Sequence, residues 1–147
     1  MQKTLIQNKR ATYDYEILEK FEAGLILKGY EAKSLRQGQG HFASPYVSVK
    51  GTTVILHHLH IPLYKKTTLE HYEPEADRAL LLHKAQIIKI ASAMDTKGVT
   101  VIPLDCGLQN GKIKVTIAIG RGKKQYDKRE SIKKRDIQRH IETSLRD

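Results

Sequence analysis

"VTVIPLDC", Val99–Cys106, and "KIKVTIAIG", Lys112–Gly120, flank "QNG", Gln109–Gly111. The second stretch alternates polar and apolar residues, as a strand with one buried face does. Asn-Gly accepts the positive φ angles of a tight type I′ turn, whose twist matches that of paired strands. The stretch therefore predicts a β-hairpin, and an antiparallel sheet becomes the frame for the rest of the chain.

Working outward, Tyr13 to Leu27, "YDYEILEKFEAGLIL", is rich in β-branched and aromatic residues and reads as one long, bent strand, with Gly24 as the site of a bulge. "YEAKSLRQG", Tyr30–Gly38, holds better helix formers and ends in glycine, so a short helix is expected. "YVSVK", Tyr46–Lys50, turns at Gly51 and Thr52 into "TVILHHLHI", Thr53–Ile61, a second hairpin. Residues 62–79 carry Pro62, Pro74 and several charges and read as a loop. In Leu82–Gly98, Ile87, Ile88, Ala91 and Met94 fall at helical spacing, and Gly98 is a stop. Short antiparallel strands with two flanking helices suggest an OB-like β-barrel, which would remove the sheet's edges. Pattern alone does not separate it from a sandwich.

A chain of 147 residues, 39% of them hydrophobic, fits one domain with a modest core. With no Trp and two Phe, that core is aliphatic. No apolar run approaches the roughly 20 residues that span a bilayer, and no secretion signal is read at the N-terminus. Cys106 is the single cysteine, so an internal disulfide and a Cys-rich zinc site are excluded. A reducing cytoplasm is the expected location.

Charge gives the first functional indication. Lys and Arg number 26 against 16 Asp and Glu, a net +10, which suits a polyanionic partner. Residues 121–147 hold ten Lys/Arg and five Asp/Glu, so these 27 residues carry half of the excess. The chain divides into a folded unit, 1–120, and a basic C-terminal tail, 121–147. In the tail, Ile137, Ile141 and Leu145 form a narrow helical stripe. Two i, i+4 pairs, Glu130 with Lys134 and Glu142 with Arg146, each favour helix by about 0.2–0.5 kcal/mol. That does not hold a lone helix in water, so the tail is expected to become helical only when bound, where counterion release from RNA offsets the ordering cost.

Nothing in the sequence argues for catalysis. "HHLH" places His57, His58 and His60 close together, but in a regular strand His57 faces away from the other two and no carboxylate lies nearby in sequence; they are read as strand-surface histidines rather than a metal site. "GQG" and "GRG" lack the spacing of phosphate-binding loops. Cys106 has no neighbouring base. No cofactor is implied.

"EAGLILKGYEAKSLR", Glu22–Arg36, resembles the signature of the small protein B (SmpB) family, the bacterial tmRNA-binding proteins. The matching residues are Glu22-Ala23-Gly24, Leu27, Gly29, Glu31 and Lys33-Ser34-Leu35-Arg36. "NKRA", Asn8–Ala11, resembles the family's start, "LLLHK", Leu80–Lys84, its central segment, and "RGKKQYDKRESIKKRD" the opening of its tail. Tyr13, where many members have His, Asp105-Cys106-Gly107 and the acidic "YEPEAD", Tyr72–Asp77, depart from the pattern.

The resemblance implies an OB-like barrel that binds the tRNA-like domain of tmRNA and delivers it to stalled ribosomes for trans-translation, without enzymatic activity. It implies RNA contacts by Asn8, Lys9, Arg10, Glu22, Lys33, Ser34, Arg36, Leu81, His83 and Lys84. It implies that the tail probes the empty messenger channel and the decoding centre through Arg121, Gly122, Lys123, Lys124, Tyr126, Lys128 and Arg129, with Gly120 and Gly122 as the joint. The implied partners are tmRNA, the 16S rRNA of the small subunit and elongation factor Tu, and no membrane. Two other readings stay open from the residues alone: a general rRNA-binding or ribosome-assembly factor, and an enzyme acting on RNA with Glu22 and a histidine as acid and base.

Overall fold

The computed structural model describes residues 3–123. In chain order the elements are β1 (Lys3–Gln7), α1 (Ala11–Asp14), β2 (Tyr15–Leu25), α2 (Gly29–Arg36), β3 (His41–Lys50), β4 (Thr53–His60), β5 (Arg78–Leu81), α3 (Lys84–Met94), β6 (Val99–Gln109) and β7 (Lys112–Gly122). The strands form one seven-stranded antiparallel sheet in the order β1-β6-β7-β2-β5-β4-β3.

The hairpin read from "QNG" is β6–β7. Gln109 pairs with Lys112, and Asn110 and Gly111 take φ angles of 51° and 76° at its tip. Along β7 the alternation turns Ile113, Val115, Ile117 and Ile119 inward. They meet Phe21, Ala23 and Leu25 of β2, Val54, Leu56 and Leu59 of β4, and Val101 and Cys106 of β6, while Leu35 of α2 and Ile90 of α3 complete the core. The core is aliphatic, as the composition requires, and Phe21 is the one buried aromatic among the described residues.

The sheet does not close. β3 packs against β6, so the sheet curls, but β1 and β3 remain its two edges. This corrects the expectation of a barrel without edges. The ladder between β3 and β4 is interrupted between Phe42 and Tyr46. There Ser44 takes a φ of 52°, and Pro45 has no N–H to offer a further strand. A bulged, proline-bearing edge resists pairing.

Other boundaries differ as well. β1 and β5 were not read from sequence, β3 begins at His41 rather than Tyr46, and residues 13–14 belong to α1. The bulge of β2 lies between Ile17 and Glu19, not at Gly24. Gly24 is small for a different reason: a Cβ there would stand 3.2 Å from Leu81 Cβ. Gly120 is likewise not a loose joint. It pairs with Ile17 and Thr100 inside β7, and a Cβ on it would stand 3.1 Å from Tyr15 Cβ. Chain exit is anchored further on, where Lys123 N donates to Asp14 O (2.9 Å) and Lys123 Nζ to Thr12 O (2.7 Å).

Cys106 is buried in the core. Burial, and then the charge of Asp105, push its thiol from 9.0 up to about 12. The thiolate is the reactive form, so the folded protein should resist iodoacetamide at pH 8 and react once unfolded; equal rates in both states would contradict this. Because the folded value lies above the unfolded one, the thiol's contribution to stability is fully present below about pH 9 and is lost as pH rises toward 12.

Candidate nucleic-acid interface

Register brings residues distant in sequence onto the outer face of the sheet. Gly24 pairs with Leu81 on one side and Lys114 on the other, and Glu22 pairs with Thr116. Since alternate residues face outward, Leu81, Lys114, Glu22 and Thr116 share this face. Leu81 is 62% exposed, a large apolar side chain left in water.

Arg36, the last residue of α2, reaches across to the hairpin tip, where its Nη2 donates to Gly111 O at 3.2 Å. Arg36, Leu81, Lys112 and Lys114 then line one cleft of about 350 Å³ together with Gly24 and Ala32. Three cations around an exposed leucine can hold phosphates while covering an apolar ring face. Glu22 lines an adjoining cleft of about 300 Å³ with Lys20, Thr116, Asp105 and Thr4. There Asp105 Oδ1 is a buried oxygen with no hydrogen-bond partner among the described residues. His83 and Lys84 follow Leu81 into α3, both exposed, with Gln86 Oε1 accepting from His83 N at 3.0 Å.

The remaining predicted residues separate. Asn8 acts within the fold: its N donates to Leu104 O (2.8 Å) and its Nδ2 to Pro103 O (2.9 Å), clasping the β1–α1 turn to the bulge of β6. Lys9 and Arg10 project from that turn and line, with Asn8, Tyr15 and His41, a separate cleft of about 510 Å³ beside the unclosed seam. Lys33 is exposed on α2, with its Nζ 5.6 Å from the Tyr64 ring centre. Ser34 is 2% exposed and donates to Pro62 O at 2.8 Å, so it fixes α2 to the following loop and offers nothing at the surface. Arg121, Gly122 and Lys123 end β7 and leave it. Lys124, Tyr126, Lys128 and Arg129 lie outside the described residues.

Sequence reasoning missed Lys112 and Lys114. Their alternation with Ile113 and Val115 marked them as outward-facing, but only long-range pairing sets them beside Leu81. It also missed what positions α2. Glu31 is buried and its Oε2 accepts from Arg78 Nε (2.8 Å) and Nη2 (2.6 Å), while Oε1 accepts from Lys28 N (3.0 Å) at the start of α2. Arg78 gives its other hydrogens to Leu59 O, Ala76 O (3.0 Å) and Pro74 O (2.9 Å). All five guanidinium donors are thereby used, and one side chain ties α2, β4, β5 and the 62–77 loop together. Alongside it Tyr72 donates to Ile61 O at 2.7 Å; burial first, then the charge of Glu31, raise its phenol above the usual range.

The histidines also differ from the reading. His57 and His58 both contact the Tyr46 ring, so they share a side, and Asp77 and Glu75 from the loop meet His57 (2.7 Å) and His60 (3.4 Å). Among the described residues no three His, Cys, Asp or Glu side chains are grouped to hold a metal ion, and no helix is long and apolar enough to cross a membrane.

These features define a basic, antiparallel-sheet protein with a shallow face of cationic and apolar side chains. The chain belongs to the SmpB protein family, whose model matches residues 5–147. It is 43% identical over 145 residues to the SsrA-binding protein of Bacillus pumilus (strain SAFR-032), covering 99% of this chain and 93% of that protein. It is 42% identical over 146 residues to the SsrA-binding protein of Geotalea uraniireducens (strain Rf4), covering 99% and 97%. Among solved structures it resembles a chain described under "tmRNA-SmpB: a journey to the center of the bacterial ribosome", with a TM-score of 0.68 and 36% identity over 86% of this chain and 92% of that one.

Proposed function

We propose that this chain is an RNA-binding adaptor of trans-translation. It holds the tRNA-like domain of tmRNA on its sheet and brings it to ribosomes stalled on incomplete messages. The observation that carries the reading is the convergence of Arg36, Leu81, Lys112 and Lys114 on one cleft, with Glu22 beside it, in a chain of SsrA-binding relatives. Its fold is an OB-type partial barrel, supported by the curl that sets β3 against β6. The cations meet phosphates and position the RNA. Leu81 lies against an apolar base or ribose surface. Glu22 accepts from a base edge or orients Lys20. No reaction is assigned to the chain, and its work is placed in the cytoplasm. The tail, beyond the anchored Lys123, enters the decoding centre against 16S rRNA, with Tyr126 as the stacking residue and elongation factor Tu as a further partner of the complex.

Equilibrium binding of the full chain to a tRNA-like RNA, with plain duplex RNA as competitor, tests this. The RNA should be bound preferentially, and Glu22→Ala should weaken it. If about five phosphates are neutralised, log K should fall against log salt with a slope near −4, at roughly 0.7–0.9 per phosphate. Lys114→Ala and Arg36→Ala should each make the slope shallower. Equal affinity for duplex, or a flat salt profile, would favour a general RNA binder or a charge that serves solubility alone.

A further inference from the structure

The β3–β4 hairpin carries an aromatic arrangement that the interface above does not use. Tyr46 is 44% exposed, and its ring stacks on His57 with centres 4.4 Å apart and planes at 10°. His58, also exposed, meets the same ring edge-on at 5.3 Å and 83°. The His57 ring is held from both sides: Asp77 Oδ1 accepts from Nδ1 at 2.7 Å and the Ser48 hydroxyl bonds Nε2 at 2.6 Å. Tyr46 therefore lies on a fixed support.

The backbone is bent to produce this. In a regular strand His57 and His58 would face opposite ways. Here the β3–β4 ladder is interrupted between Phe42 and Tyr46, opposite His58, and Ser44 and His58 both take left-handed conformations, at φ 52° and 63°. Such conformations are costly for residues with a Cβ, persist only where the surrounding structure over-determines them and cluster at ligand sites, and bulges commonly re-aim side chains beside binding sites.

We propose that Tyr46, His57 and His58 form a stacking platform for one unpaired nucleobase of the bound RNA. This rests on the reading of the chain as an RNA binder. Three observations select that occupant. Exposed, rigidly backed rings are what unpaired bases stack on. The side chains that brace His57 are a hydroxyl and the exposed carboxylate of Asp77, which suits a base with an amino edge rather than a phosphate. The platform is also continuous with the Leu81 cleft. Since Leu56 pairs with Arg78, His57 lies beside Asp77 on the same outer face, and Leu81 is four residues further along, roughly 13 Å at the rise of a strand. A strand of RNA leaving the Leu81 cleft reaches Tyr46 within a few nucleotides.

Titration of the full-length protein with hexaadenylate, followed by NMR of the aromatic side chains, tests this. The ring signals of Tyr46 and His58 should move upfield as a base stacks. Tyr46→Leu should lower the affinity read from the His58 signal about tenfold, whereas Tyr46→Phe, which keeps the ring, should retain it. Hexauridylate, whose base has no amino edge, should bind several-fold more weakly. Unmoved Tyr46 and His58 signals, or a Tyr46→Leu variant that binds as the parent does, would overturn the proposal. Because the readout is confined to these rings and the probe is unstructured, that failure is distinct from loss of tRNA-like RNA binding by Glu22→Ala.

Discussion

A chain truncated after Gly122 will bind the tRNA-like RNA with nearly full affinity yet fail to support peptide tagging on ribosomes stalled at a truncated message. The removed residues, 123–147, hold nine of the chain's 26 Lys and Arg. The proposed RNA face lies elsewhere, in Arg36, Leu81, Lys112, Lys114 and Glu22. Loading should therefore survive while the step on the ribosome is lost. Tyr126→Ala and a charge-swapped Lys123/Lys124/Lys128/Arg129 variant should show the same separation in milder form. An aromatic within a basic run can cover a base at roughly 1–3 kcal/mol, which sets the scale expected for Tyr126. Lys123 requires a control, because it also anchors the chain exit through Thr12 and Asp14; a Lys124/Lys128/Arg129 variant leaves that anchor in place. Full tagging by the truncated protein would remove the tail from the mechanism.

The second large effect is on stability. Arg78→Ala should destabilise the domain by about 3–5 kcal/mol, because it leaves Glu31 as an uncompensated buried charge and strands three carbonyls. Glu31→Ala should cost a similar amount, since it leaves the buried Arg78 charge without its carboxylate, two of its N–H groups unpaired, and the Lys28 N–H without its acceptor. The double variant Glu31→Leu/Arg78→Met should recover part of the loss. It removes both charges, but the carbonyls of Leu59, Ala76 and Pro74 still lack their donor. Urea denaturation of the parent and these three variants measures this. Single variants that lose less than about 1 kcal/mol would show that the pair does not hold α2 in place.

What could be read from sequence followed the range of the signal. The β6–β7 hairpin was legible because Asn-Gly and the alternation of Lys112–Ile119 are local. The core's aliphatic character was legible from composition. β5 was not, because "RALL" has no alternation and is defined by its pairing with β2 and β4. β1 is a five-residue edge strand with one buried residue, Ile6. Failure of the barrel to close could not be anticipated by counting strands; it depends on where the edges meet. A regular strand would put His57 and His58 on opposite faces, and the left-handed conformation of His58 reverses that.

The site divides in the same way. Glu22, Arg36 and Leu81 came from the family resemblance and meet on one surface. Asn8 and Ser34 came from the same motifs but are spent on holding the fold together, through Pro103, Leu104 and Pro62. The ion pair of Glu31 with Arg78 spans 47 residues, so no local pattern could reveal it.

The most direct test of the central claim is the RNA that copurifies with the full chain from its native host. The account predicts a single predominant RNA of roughly a few hundred nucleotides that is charged with alanine by an alanyl-tRNA synthetase, and its loss from the Glu22→Ala variant. Recovery of ribosomal RNA fragments alone, unchanged by Glu22→Ala, would contradict it.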